Sequence, residues 1–152
     1  MRKTNENMST MHSYLVFNGN CREAMTFYQK CLGGELSFQT IGASPLSEKM
    51  PEKMKKCILH ATLINRQWVL MGSDIVGEKG LLKGNTMSLV LNCNSEKEIR
   101  ECYKKLSKDG EATHPLENTF WNALFGSLTD KYGNLWMLNY SRKEKKIPAI
   151  KK

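Results

Sequence analysis

The chain has 152 residues, 40% of them apolar and 25% charged, a composition that suits one domain or two small pseudo-repeats sharing a core. No apolar run approaches the ~20 residues a membrane span needs, and MRKTNENMSTMHS at the start has no apolar signal core, so the expectation is a cytoplasmic protein with no membrane partner. The net charge of +8 lies mostly in a basic tail: residues 141–152 carry +5, residues 1–11 carry +1 and residues 12–140 carry +2, and without aromatic–basic interleaving no nucleic-acid partner is expected.

The first elements are legible in SYLVFNGNCREAMTFYQKCLGG, residues 13–34. A short apolar run suits a strand, and a polar break follows. Asn20 and Glu23 then have the spacing of an N-cap and its N3 partner. Ala24, Phe27, Tyr28, Cys31 and Leu32 make one apolar helical stripe, which Gly33-Gly34 ends. Strands are expected at 35–41, 57–64 and 68–73. Between the first two lies GASPLSEKMPEKMK, with two prolines and with Met50 and Met54 four apart. It reads either as a solvated loop or as a lid whose methionines close over an apolar ligand.

The same grammar returns in SLVLNCNSEKEIRECYKKLSKDG, residues 88–110. Ser95 and Glu98 form a capping box, and Ile99, Cys102, Tyr103 and Leu106 form the stripe that Gly110 ends. A shift of 75 residues lays Asn20 on Ser95, Glu23 on Glu98 and Tyr28 on Tyr103. Further strands are expected at 112–114, 123–129 and 135–140, with a tight turn at 130–133 and with Trp68 matched to Trp136. The fold class that follows is α+β: two βαβββ modules, about 12–74 and 86–140, forming a cleft between concave mixed sheets. Tails at 1–11 and 141–152 flank them. The cysteines (Cys21, Cys31, Cys57, Cys93, Cys102) are odd in number and lack CxxC spacing, so they read as reduced thiols. Cys21 sits where a helix begins, a position that lowers thiol pKa, and is either a reactive thiol or a small buried residue.

YLVFNGNCREAMTFYQKCLGGEL, TFWNALFGSLTDKYGNLWMLNY and the doubled βαβββ pattern resemble the vicinal oxygen chelate superfamily. That group includes glyoxalase I, extradiol dioxygenases and bleomycin and fosfomycin resistance proteins, and within it the chain is most similar to the PhnB-like branch, over about residues 12–140. The resemblance implies a homodimer. It also implies metal-ligand positions on the first and last strands of each half, which fall here on Ser13, Val69, Ser88 and Met137. These do not suit a divalent ion, which takes imidazole or carboxylate. A one-residue slip brings in His12 or Tyr14, Trp68 or Leu70, Met87 or Leu89, and Trp136 or Leu138, of which only His12 could ligate. No metal and no cofactor is therefore expected. PhnB-like proteins are sometimes labelled demethylubiquinone methyltransferases, but no Gly-rich loop follows a strand here to hold S-adenosylmethionine.

Strand alternation completes the expected wall. Leu59, Ala61 and Leu63 are assigned to the helix side, leaving Ile58, His60, Thr62 and Ile64 in the cleft; Leu124, Gly126 and Leu128 are assigned to the core, leaving Phe125, Ser127 and Thr129. Asn92 and Asn139 join them. The ligand-binding set is Ser13, Phe17, His60, Val69, Met71, Asp74, Ser88, Phe125 and Met137. His60 is either a hydrogen-bonded strand histidine or a base; Asp74 either meets a ligand at the cleft mouth or caps a turn. Phe120 and Trp121 suit an aromatic rim, Trp136 the core and His114 the surface. Two functions compete: metal-independent binding of a small, apolar or aromatic molecule, or a lyase- or transferase-like enzyme with a nonstandard site.

Overall fold

In a computed structural model, which describes residues 8–142, the two apolar stripes become two helices, each packed on its own four-stranded sheet. The described residues divide into two compact units, the first ending at Leu81 and the second beginning at Leu82. The first holds β1 (Ser13–Val16), α1 (Cys21–Leu32), β2 (Glu35–Thr40), β3 (Ile58–Asn65) and β4 (Trp68–Ser73). Its strand order is β1-β4-β3-β2, with β1 parallel to β4 and the other pairs antiparallel. The second repeats the plan with β5 (Leu89–Asn92), α2 (Glu96–Ser107), β6 (Glu111–Asn118), β7 (Ala123–Thr129) and β8 (Leu135–Ser141), in the order β5-β8-β7-β6. This is the two-module α+β fold expected from the sequence. Residues 1–7 of the expected N-terminal tail and residues 143–152 of the basic tail lie outside the described residues. Among the described residues no helix is long and apolar enough to cross a membrane.

In the first unit α1 buries Cys21, Ala24, Met25, Tyr28 and Cys31. Met25 takes the place expected for Phe27, because Gly72 on β4 opens room beneath it. A Cβ at Gly72 would stand 3.1–3.2 Å from Met25 Sδ, Cys21 Sγ and the Phe17 ring. Ala61, Leu63 and Leu70 complete this face of the sheet, all buried. The expected Asn20–Glu23 cap is not made, since Asn20 gives no side-chain hydrogen bond to the helix. The stretch between β2 and β3 carries two 3-10 turns, Ser47–Lys49 and Glu52–Met54, and is closed at its base by Gly42 N–H donating to the Lys55 carbonyl at 2.9 Å.

In the second unit the expected stripe of Ile99, Cys102, Tyr103 and Leu106 is the buried face of α2. The Ser95 half of the capping box forms, with Glu98 N–H donating to Ser95 Oγ at 3.0 Å, while Glu98 Oε1 accepts from Asn94 N–H at 3.3 Å, one residue before the N-cap. β6 is longer than the sequence suggested. EATHPLEN lacks apolar alternation and contains Pro115, and its pairing with β7 is irregular on both sides of His114. An edge strand tolerates both features, since only one of its sides joins a ladder.

The turn between β7 and β8 explains the DKYGNLW motif. Asp130, 2% exposed, accepts Tyr132 N–H at 2.8 Å and Asn134 N–H at 3.0 Å on Oδ1, and Trp136 Nε1–H at 2.8 Å on Oδ2. Gly133 takes a φ of 86°, the left-handed value that closes the turn. Trp136 is core, as expected. The aspartate thus holds both the hairpin and the indole beneath it, and hydrogen bonds to a charged group are worth about 1.5–3 kcal/mol each.

Candidate functional site

Helix packing consumes one face of each sheet, so ligand chemistry has to be sought on the other. In the first unit the strand register aligns Ser37, Thr62, Met71 and Tyr14 across β2, β3, β4 and β1. Glu35, Ile64 and Val69 form the neighbouring row, and Gln39 pairs with His60 on the other side. The Tyr14 and His60 rings lie 5.8 Å apart, tilted by 37°. Tyr14 is 50% exposed and Ile64 48%. His60, Val69 and Met71 therefore share this face, as expected.

Three members of the expected set do not. Ser13 pairs with Leu70, whose row holds the buried Leu63, and so belongs to the helix side. Tyr14 takes the open position instead. Phe17 is 3% exposed and packs with Cys21 and Met25 over Gly72. Asp74 is a structural staple: Oδ1 accepts Gly19 N–H at 3.0 Å and Cys21 N–H at 2.9 Å, and Oδ2 accepts Ile58 N–H at 2.8 Å. It supplies the α1 cap that Asn20 does not, and joins the start of β3 to the same point. Ile58, also expected in the cleft, is buried. Cys21 lies under this staple at the helix start, yet burial, with the Asp74 charge adding to it, pushes its thiol up to about 12. The helix N-terminus here serves a carboxylate, so Cys21 is an inert buried thiol.

In the second unit the open face carries two rows. Val90, Met137, Ser127 and His114 align in one, and Asn92, Asn139, Phe125 and Glu117 in the other. Phe125 and Met137 are where the alternation puts them. Ser88 comes one residue before β5 and is half-buried. Asn139 Nδ2 donates to Asn92 Oδ1 at 3.2 Å. His114, expected at the surface, is exposed, but its Nδ1 lies 3.1 Å from Ser127 Oγ, which is also 3.1 Å from Thr113 Oγ1. This polar cluster escaped the sequence reading, because its strand has no alternation to fix a register. Tyr103 OH donates to the carbonyls of His114 and Ser127 at 3.0 and 2.9 Å, holding the irregular pair in place; burial raises its pKa. At the tip between β6 and β7, Phe120 is 97% exposed, and its ring meets Trp121 edge-to-face at 4.7 Å.

The two modules can now be aligned by geometry. Phe17 N–H donates to the Ser73 carbonyl at 2.8 Å, and Cys93 N–H to that of Asn139 at 2.7 Å. Phe17 thus corresponds to Cys93, Tyr14 to Val90 and Met71 to Met137. The side chains at these four open positions are a phenol, an isopropyl group with no ligating atom and two thioethers, which do not fit a catalytic divalent ion. Among the described residues no three His, Cys, Asp or Glu side chains converge on one point.

Three comparisons bear on this arrangement. Residues 10–138 match the model of the Glyoxalase/Bleomycin resistance protein/Dioxygenase superfamily. The chain is similar to Protein YjdN of Escherichia coli, at 31% identity over 144 residues, 86% of this chain and 95% of the relative. Among solved structures it resembles protein PA1353 from Pseudomonas aeruginosa, with a TM-score of 0.78 at 36% identity over 90% of this chain and all 100% of the other. It also resembles the PhnB protein from Bacillus cereus, with a TM-score of 0.67 at 29% identity over 87% of this chain and 99% of the other. Two four-stranded mixed sheets, each with one helix, together with a family match spanning nearly the whole described chain, place the protein in the glyoxalase/bleomycin resistance/dioxygenase superfamily, with PhnB-like relatives.

Proposed function

We propose that this chain is a metal-independent binding protein for a small, largely apolar, preferably aromatic molecule, acting as a homodimer in the reducing cytoplasm. The observation that carries the reading is the chemistry of the open sheet faces. Tyr14, Ile64, Val90 and Met137 leave large apolar groups partly exposed there, beside a few neutral polar groups. A face that only met water would not need them, and small-molecule sites characteristically combine apolar area with a few placed polar groups. Covering one aromatic ring contributes roughly 2 kcal/mol or more of transfer free energy. An unpaired hydroxyl or imidazole costs about 1–3 kcal/mol, so Ser127, His114 and His60 select among ligands rather than supply the attraction. Two small units, each with one helix over four strands, also have little core of their own, which supports pairing of chains. The five cysteines are free thiols, as a reducing compartment keeps them.

A second reading is an enzyme of lyase or transferase type. The His114–Ser127 contact favours it, because an imidazole beside a hydroxyl is the minimum for proton transfer. A thermal-shift screen for ligands, followed by chromatography of each hit during long incubation, separates the two. Binding without conversion supports the first reading. Turnover lost in His60→Ala or His114→Ala establishes the second.

A further inference from the structure

We propose that a hydrogen-bonded chain, Thr113–Ser127–His114, forms the polar end of a ligand site on the second module and receives the hydroxyl group of an uncharged aromatic molecule, a phenol. The proposal rests on the reading of the open faces above and narrows it to one chemical class of ligand. Ser127 Oγ lies 3.1 Å from His114 Nδ1 and 3.1 Å from Thr113 Oγ1. Met137 stands opposite Ser127 on β8, and Phe125 comes two residues before it on β7, on the same face. Met137 is exposed and Phe125 half-buried, so a ring laid over these two side chains brings a substituent to the chain.

Successive side chains of a regular strand point to opposite faces, yet Thr113 and His114 meet one hydroxyl. Two bulges account for this. Between Glu111 and His114 the edge strand has two residues where β7 has only Leu128, and between His114 and Glu117 it has two where β7 has only Gly126. The fold itself does not require them. In the first module β2 pairs regularly from Glu35 to Gln39, and sets Ser37 opposite Thr62 where the second module sets His114 opposite Ser127. The neighbours are fitted to the bulges. A Cβ at Gly126 would stand 2.9 Å from the His114 carbonyl oxygen and 3.1 Å from Leu116 N. Tyr103 OH, from the helix side, donates to the His114 and Ser127 carbonyls. Bulges of this kind re-aim side chains next to functional sites.

The chain also selects what it binds. Ser127 has one hydroxyl proton for two contacts. When it donates to Nδ1 it accepts from Thr113, and His114 Nε2 carries a proton; when the direction reverses, Nε2 is an acceptor. A ligand hydroxyl both donates and accepts, so it suits either direction, and a methyl group suits neither. Glu111 and Glu117, both exposed, flank His114 along β6, and their charges disfavour an anionic ligand.

Three probes of similar shape test the assignment on the full-length protein: 2-naphthol, 2-methylnaphthalene and 2-naphthoate, each titrated by ligand-observed NMR. The expected result is that 2-naphthol binds about tenfold tighter than either of the others. In Ser127→Ala and in His114→Leu its preference over 2-methylnaphthalene falls to about twofold or less, because affinity for 2-naphthol drops; Ser127→Thr, which keeps the hydroxyl, keeps the preference. A loss common to both probes marks a merely structural role and overturns the proposal. Tighter binding of 2-naphthoate overturns it too. Equal binding of 2-naphthol and 2-methylnaphthalene to the wild-type protein overturns it while leaving the reading of the open faces in place. Absence of binding by all three, where the thermal-shift screen returns other aromatic ligands, has the same meaning; an empty screen overturns both.

Discussion

Met71 and Met137 hold the same position in the two modules, each facing away from its helix on the strand beside the module's first strand, opposite Tyr14 in one and Val90 in the other. In relatives that hold a metal, the resemblance puts a ligand on such strands; here both side chains are thioethers. Met137→Glu places a charge on a face that the proposed ligand covers. Desolvating that charge should weaken binding about tenfold or more while leaving the fold intact, since the position is 37% exposed. Calorimetric titration of a ligand found by screening checks both halves of this expectation.

Asp74 should behave as a fold residue. Asp74→Asn keeps the shape but turns an amide N–H toward one of the three backbone donors it now serves. The expected loss is about 1–3 kcal/mol of stability in urea unfolding. Ligand affinity should not change. An unchanged midpoint with weakened binding would return Asp74 to the site.

Asp130→Asn tests the motif at the other end of the chain. The amide either meets the Trp136 indole N–H with a second donor or abandons the turn amides. A destabilisation of about 1–3 kcal/mol is expected. The indole lies beside the substitution, so tryptophan fluorescence should report the same transition.

How much of this was legible in the sequence depends on parity. The helices repeat at 75 residues, and both stripes and the Ser95 cap could be read directly. The strands, however, repeat at 76 between β1 and β5, because residues 17–20 precede α1 while only 93–95 precede α2. Gly19, with a φ of 95°, belongs to the longer loop. A one-residue slip changes faces: a shift of 75 carries Ser13 to Ser88, whereas the strand register matches it to Leu89, and Ser13 and Phe17 lie on the helix side with Tyr14 on the open one. The Trp68–Trp136 match is wrong by two residues, because β3 and β4 are joined at Asn65–Trp68 by a shorter turn than the one at Asp130. An even slip keeps the face, so Val69 was read on the correct side but in the wrong row. For Asp74 the sequence leaves ligand contact and capping both open, because its partners are 16 to 55 residues away, beyond any local pattern.

Acid should loosen the second module through Glu96. The Arg142 guanidinium at 2.8 Å, and then Arg100 at 3.2 Å, hold its carboxyl below the ordinary value of 4.5. A depressed carboxyl contributes stability that is present above the unfolded value and lost as pH falls through the folded one. Glu96→Gln should therefore lower stability modestly at pH 7, and its difference from wild type should shrink as pH falls below about 4.5, as followed by urea midpoints across that range. The pair is exposed, so added salt should reduce the difference.

The central claim is binding without a metal, and native mass spectrometry of chelator-treated protein against a library of small aromatic molecules tests it most directly. The account predicts adducts on the metal-free homodimer, each released with its mass unchanged after prolonged incubation, and fewer adducts on Met137→Glu. Binding or conversion that appears only after nickel, zinc or manganese is restored, with stoichiometric metal retained through dialysis, would contradict it.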